Sequence, residues 1–145
     1  MRIVVDTNIL FSAILNSHSR IGQIILHPSR KHKFYSVRFL QKEMQNHFDK
    51  IRKITKLSDA EITELIEILY SRIHFISDDL IPLETFIEAD ELTKSVDFDD
   101  ILFVALSLHL NCKLWTGDIA LMNALKKQGF NKFIITRELI EKQRK

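Results

Sequence analysis

The 145-residue sequence predicts an α/β fold, a mostly parallel sheet with helices on both faces. Five short strand-like runs, Ile3 to Val5, Lys33 to Ser36, Ile73 to Ile76, Lys113 to Trp115 and Phe133 to Ile135, alternate with longer segments of helical periodicity. Only 3 Gly and 2 Pro occur, so the elements between turns are long and the loops few. Hydrophobic residues make up 46% and charged residues 28%, a balance that suits a folded domain rather than a disordered chain. With no repeat, linker or low-complexity tract, one domain over residues 1–145 is expected.

Each element has a local reason. Ile3-Val4-Val5 is apolar and bounded by a charge, the pattern of a buried central strand. Ile9 to Leu15 reads as a helix, and Ile21, Ile24 and Ile25 supply the apolar side of a second. Between the second and third strands, Leu40, Met44, Phe48 and Ile51 keep helical spacing, and Ser58-Asp59-Ala60-Glu61 is a capping box before Ile62, Leu65, Ile66 and Leu69; together they predict a helical pair. Pro82 precedes an acidic helix from about Leu83 to Lys94, whose Glu84, Glu88, Asp90 and Glu91 read as a solvated face. Ile101 to Leu108 is almost wholly apolar and must be buried on most sides. Gly129 ends the helix containing Leu121 and Leu125, and residues 137–145 form a short charged helix.

The acidic residues carry the chemical signal. Asp6 stands where the first strand ends, and ligands of open α/β sheets bind just beyond such strand ends. It reads equally well as the N-cap of the next helix. Lys113-Leu114-Trp115 repeats the pattern, stopping at Thr116-Gly117-Asp118, where Gly117 would permit a tight turn and Asp118 has its own capping alternative. Asp97, Asp99 and Asp100 gather before the apolar helix, more acids than capping requires, and a cation or solvent would relieve their repulsion. Glu43, beside Met44 at the edge of an apolar arc, can face either a cleft or water.

Carboxylates from separate elements suit hard divalent cations, so Mg²⁺ or Mn²⁺ is the natural occupant. Zinc is disfavoured, because Cys112 is the lone cysteine and the six histidines form no HxxxH pair. The sequence contains no P-loop, GxGxxG fingerprint or GxSxG elbow, which removes nucleotide-fuelled and serine-hydrolase readings. A single Cys, the lack of an apolar run of about 18 to 20 residues and only three apolar residues before Asp6 lead to the expectation of a cytoplasmic protein without a membrane span. The net charge of +2 does not choose a partner.

Taken in order, Asp6-Thr7-Asn8 after a first strand, an internal Glu43, Asp100 heading an apolar helix and Thr116-Gly117-Asp118 after the next strand resemble the PIN-domain family of metal-dependent nucleases. The resemblance covers nearly the whole chain, and the segment from Asp97 to Asp118 looks like that of stand-alone prokaryotic PIN proteins that are toxins of toxin-antitoxin pairs. It implies a three-layer α/β/α sandwich, catalytic Asp6, Glu43, Asp100 and Asp118, and metal ligation by Asp6, Asp100 and Asp118. Asp100 is preferred to Asp99 because its distance to Asp118 matches the family's spacing, the tandem leaving Asp99 as the alternative; Asp97 or Asp99 is then an outer ligand, and Asn8 and Thr116 support the carboxylates.

The expected reaction is hydrolysis of RNA phosphodiester bonds with one or two Mg²⁺ or Mn²⁺ ions, Glu43 holding a second ion or orienting the attacking water. The implied partners are RNA and an antitoxin protein that blocks the acidic pocket with an Arg or Lys; homodimers are common among such relatives, but no residue here encodes one. The alternative is a non-catalytic PIN-like module that binds RNA or protein. A haloacid-dehalogenase-like phosphatase needs a second acid two residues after Asp6, where Asn8 stands. Arg30-Lys31-His32-Lys33 and the run containing Arg38, Lys42, Lys50, Arg52, Lys53 and Lys56 are the basic segments available for substrate binding.

Overall fold

The computed structural model describes residues 1–94 and 100–144. Among these, five strands, β1 (Arg2–Val5), β2 (Lys33–Val37), β3 (Ile73–Ile76), β4 (Lys113–Trp115) and β5 (Phe133–Ile134), form one parallel sheet in the order β3-β2-β1-β4-β5. The chain first builds outward from β1 through β2 to β3, then crosses back to place β4 on the other side of β1. The switch point of the sheet therefore lies between β1 and β4, where the carboxyl ends of the strands open a crevice.

The first connection contains α1 (Thr7–Leu15) and α2 (Arg20–Leu26), the second α3 (Phe39–Asn46), α4 (Phe48–Thr55) and α5 (Asp59–Tyr70). The third holds a 3-10 turn at Asp78–Leu80, α6 (Leu83–Leu92) and α7 (Asp100–Leu110); α8 (Ile119–Lys127) joins β4 to β5, and α9 (Thr136–Gln143) follows. Right-handed crossovers set α1 to α5 on one face of the sheet and α6 to α8 on the other. The α7 helix lies across β1, β2 and β4, which explains its five consecutive buried residues, Phe103 to Ser107. On the opposite side α1 packs on α2 and α5, and α2 packs on α9.

Val4, Val5, Leu114 and Trp115 are fully buried in the sheet centre, with Leu10, Ile14, Leu40 and Leu106 packed from the helical layers. At about 25 cal/mol per Å² of apolar surface, each such side chain contributes about 1.5–3 kcal/mol. The capping box at Ser58 and Glu61 forms with both bonds at 3.1 Å. One element differs from the sequence expectation. The predicted helix through Leu40, Met44, Phe48 and Ile51 is broken at His47, which caps α3 and starts α4, so this connection has three helices instead of two. No helix of the described residues is long and apolar enough to cross a membrane.

Candidate active site

Val5 and Trp115 are partners across the ladder, so the residues that follow them, Asp6 and Thr116, leave the sheet side by side. Asp6 is buried; its Oδ1 accepts the Ile9 N–H at 2.9 Å, and the buried Thr116 hydroxyl donates to the same carboxylate. Thr116 Oγ1 also accepts the Asp118 N–H at 3.1 Å, closing the turn that brings Asp118 back toward Asp6. Gly117 is not what permits this turn: its φ is not positive, and a Cβ there would meet nothing within 4 Å. Asp118 Oδ1 accepts the Leu121 N–H at 3.0 Å. Both acids thus cap helices, as their local sequence allows, and the cap does not remove either from the crevice.

Glu43 arrives from α3, where it lies next to buried Met44, and its Oε1 accepts the Thr7 hydroxyl at 2.6 Å. Asp100 opens α7 from the opposite helical layer and is half-buried. Asp6, Glu43, Asp100 and Asp118 line a single cavity of about 310 Å³, together with Thr7 and Asn8. Four acids distant in sequence therefore share one space at the carboxyl edge of the sheet. Asp97 and Asp99 lie outside the described residues.

Sequence reasoning misses two residues that line this cavity. His47 stands four residues after Glu43 and Phe103 three after Asp100, spacings that put each on the same helical face as its acid. His47 also packs against Phe11, with ring centroids 5.4 Å apart. The first basic segment falls elsewhere. Lys33 opens β2 beside Arg2 at the amino ends of the strands, so Arg30 to Lys33 occupy the edge opposite Asp6, because all strands run parallel. Arg52 is engaged by Asp49 at 2.9 Å and Asp59 at 2.6 Å, and Lys50 sits over the Phe11 ring at 5.4 Å.

Electrostatics set this cavity apart. Burial pushes the Asp6 carboxyl up to about 6; hydrogen bonds from Ile9 and Thr116 oppose that rise, and the charges of Asp118 and Glu43 add to it. Among the described residues no Lys or Arg lines the cavity. A positive charge placed there would stabilise Asp6 as a carboxylate. The donors are hard oxygens, which fit Mg²⁺ or Mn²⁺. Among the described residues no three acidic, His or Cys side chains are drawn together tightly enough to hold an ion unaided.

The fold has relatives among solved structures. Over most of its length, PAE2754 from Pyrobaculum aerophilum has the same fold, with a TM-score of 0.70 at 16% identity, covering 99% of this chain and 90% of that one. VapBC-1 from nontypeable Haemophilus influenzae aligns with a TM-score of 0.68 at 15% identity over 94% of this chain and 99% of that chain. VapBC2 from Rickettsia felis, solved bound to a DNA fragment from its promoter, aligns with a TM-score of 0.64 at 18% identity over 93% and 97%. No curated protein sequence matches the chain. The PIN-domain family model matches residues 4–138, from the first strand to the last helix, and the chain belongs to the PIN-domain family.

Proposed function

We propose that the protein is a divalent-metal-dependent endoribonuclease, with Asp6, Glu43, Asp100 and Asp118 as its catalytic residues. The observation that carries this reading is the convergence of those four carboxylates in one cavity at the switch point of the sheet. Asp6, Asp100 and Asp118 would hold Mg²⁺ or Mn²⁺, in part through its bound waters, and the ion would supply acidification of the attacking water and neutralisation of charge on the phosphoryl oxygens. Thr116 orients Asp6 by donating to its carboxylate, and Thr7 holds Glu43 in position to accept a proton from the attacking water. Asn8, exposed on the cavity rim, offers an amide to the substrate.

The family supports a nuclease, and likeness to the VapBC structures supports a toxin-antitoxin role, in which a partner protein would cover the acid-lined cavity. Such a toxin acts in the cytoplasm, where its RNA and its antitoxin are found. The test is cleavage of a labelled RNA panel with Mg²⁺, with Mn²⁺ and with EDTA. Cleavage that needs metal and disappears in folded Asp6→Asn and Asp118→Asn proteins supports the reading. Absence of cleavage with Mn²⁺ across varied RNAs favours a binding module instead. Growth that is unaffected by expression of the active protein counts against the toxin role.

A further inference from the structure

A second cavity, about 560 Å³, opens between α2 and α9, and its character is opposite to that of the acid-lined one. Arg20 and His27 face it from the two ends of α2, and Arg137 and Arg144 from α9 and its C-cap. One carboxylate, Glu141, accompanies three guanidiniums. All three are exposed, and none forms an ion pair or hydrogen bond among the described residues. Gln143 also lines the cavity, and its Nε2 is buried without a hydrogen-bond partner. The guanidinium fork matches phosphate oxygens two at a time.

This cavity neighbours the acids by way of a third. A third cavity, about 320 Å³, shares Asn8 and Asp118 with the acid-lined one, and its far wall holds Ile21 and Thr136, the chain neighbours of Arg20 and Arg137. The third cavity thus lies at the start of α2 and α9, between the acids and the helices that carry the arginines. A site lined by four carboxylates and no described Lys or Arg repels a polyanion, so attraction for a phosphate chain must come from outside it.

Resting on the nuclease reading above, we infer that the cavity between α2 and α9 is a remote substrate subsite, where Arg20, Arg137 and Arg144 grip a backbone phosphate of the RNA strand cleaved at the acids. The intervening bases pass over Ile21 and Thr136. An acidic segment of a protein partner would also be attracted to the arginines. The third cavity between Asp118 and the arginine-bearing helices, and the opposite charge of the two ends, favour the strand being cut.

The experiment compares the wild type with Arg137→Ala/Arg144→Ala and with the corresponding double Lys protein. Binding of a fluorescent single-stranded RNA of about 12 nucleotides is read by anisotropy in EDTA across a salt series. Thermal melts check the fold. The double Ala protein is expected to bind about tenfold more weakly, with its salt slope flattened by about 0.7 for each phosphate that is no longer neutralised, and the double Lys protein to recover most of the slope. With Mn²⁺, KM for the same RNA should rise while kcat stays within about twofold.

Unchanged affinity, slope and KM in a variant that still cleaves RNA would overturn the inference and leave the nuclease reading standing. Loss of binding to an oligoglutamate peptide with RNA binding intact would also overturn it, in favour of a protein-docking surface. If the wild type binds RNA through these arginines but never cleaves it, RNA binding at this cavity stands while the nuclease reading, and with it the cavity's role as a substrate subsite, fails. A wild type that neither binds nor cleaves RNA overturns both.

Discussion

The Thr7 hydroxyl donates to Glu43 at 2.6 Å, tying the first turn of α1 to the middle of α3. Thr7 is buried and Glu43 half-buried, so this bond fixes a carboxylate that α3 alone would let turn into solvent. A hydrogen bond to a charged group contributes about 1.5–3 kcal/mol. Thr7→Val preserves the shape and removes the donor. RNA cleavage with Mn²⁺ should fall by about tenfold or more, chiefly in kcat, while the melting temperature moves little. Full activity in the Val protein would show that Glu43 needs no anchor.

Asp6→Asn tests the cost of a buried acid. Asn keeps an oxygen for the Ile9 N–H, so the helix cap survives, while the charge that burial disfavours is gone. In EDTA near neutral pH the Asn protein should be more stable than the wild type by about 1–3 kcal/mol, measured by urea unfolding. The same protein should be inactive. A destabilised Asn protein would mean that the carboxylate is held by more than its cap and Thr116.

Gly22 is required by a close approach. A Cβ at this position would stand 2.4 Å from the Ser17 carbonyl oxygen and 2.8 Å from its carbon, both backbone atoms that cannot swing aside. Gly22→Ala should therefore destabilise the protein by about 1–3 kcal/mol in urea unfolding, even though Ala favours helices. An unchanged unfolding midpoint would show that the turn between α1 and α2 shifts freely.

His32 should make stability depend on pH. Its ring is buried, Nδ1 has no hydrogen-bond partner, and burial, followed by the charges of the N-terminus, Lys142 and Lys31, holds its pKa below the ordinary 6.5. The unfolded chain takes up this proton more readily than the folded one. The contribution of neutral His32 is thus complete above pH 6.5 and is lost as pH falls through and below that value. Between about pH 7 and about pH 5, the wild type should lose more stability than His32→Gln in matched urea titrations. Parallel losses would exclude His32 as the source.

Much of the fold is legible in sequence because short apolar strands and rim acids are local signals. The apolar run Ile73–Ile76 coincides with β3 at both ends, and Lys33 and Lys113 mark the starts of β2 and β4. Asp6 and Asp118 are hard to read because each has two roles with one sequence signature: Oδ1 caps a helix while the side chain also lines the cavity. His47 is hidden by the unbroken apolar spacing from Leu40 to Ile51, although its distance from Glu43 carries the information. The run from Arg30 to Lys33 attracts notice by its charge, but what matters is which end of a strand it precedes. In a parallel sheet that order places it away from the acids. The cavity between α2 and α9 has no compact motif, since Arg20 and Arg137 meet only through helix packing.

The pairing of Val5 with Trp115 has a consequence beyond assembling a site. Adjacent strands keep a spacing of about 4.8 Å, enforced by backbone hydrogen bonds that no side-chain substitution alters. The separation of the chains that deliver Asp6 and Thr116 is therefore a lattice constant of the sheet. The arginine cavity has no such ruler, because its width depends on how the side chains of α2 and α9 interlock. Substitutions on those helices can widen, narrow or recharge the arginine cavity without altering the spacing of the strands that deliver Asp6 and Thr116. The fold thus sets a dimension fixed by the backbone beside one that side chains adjust.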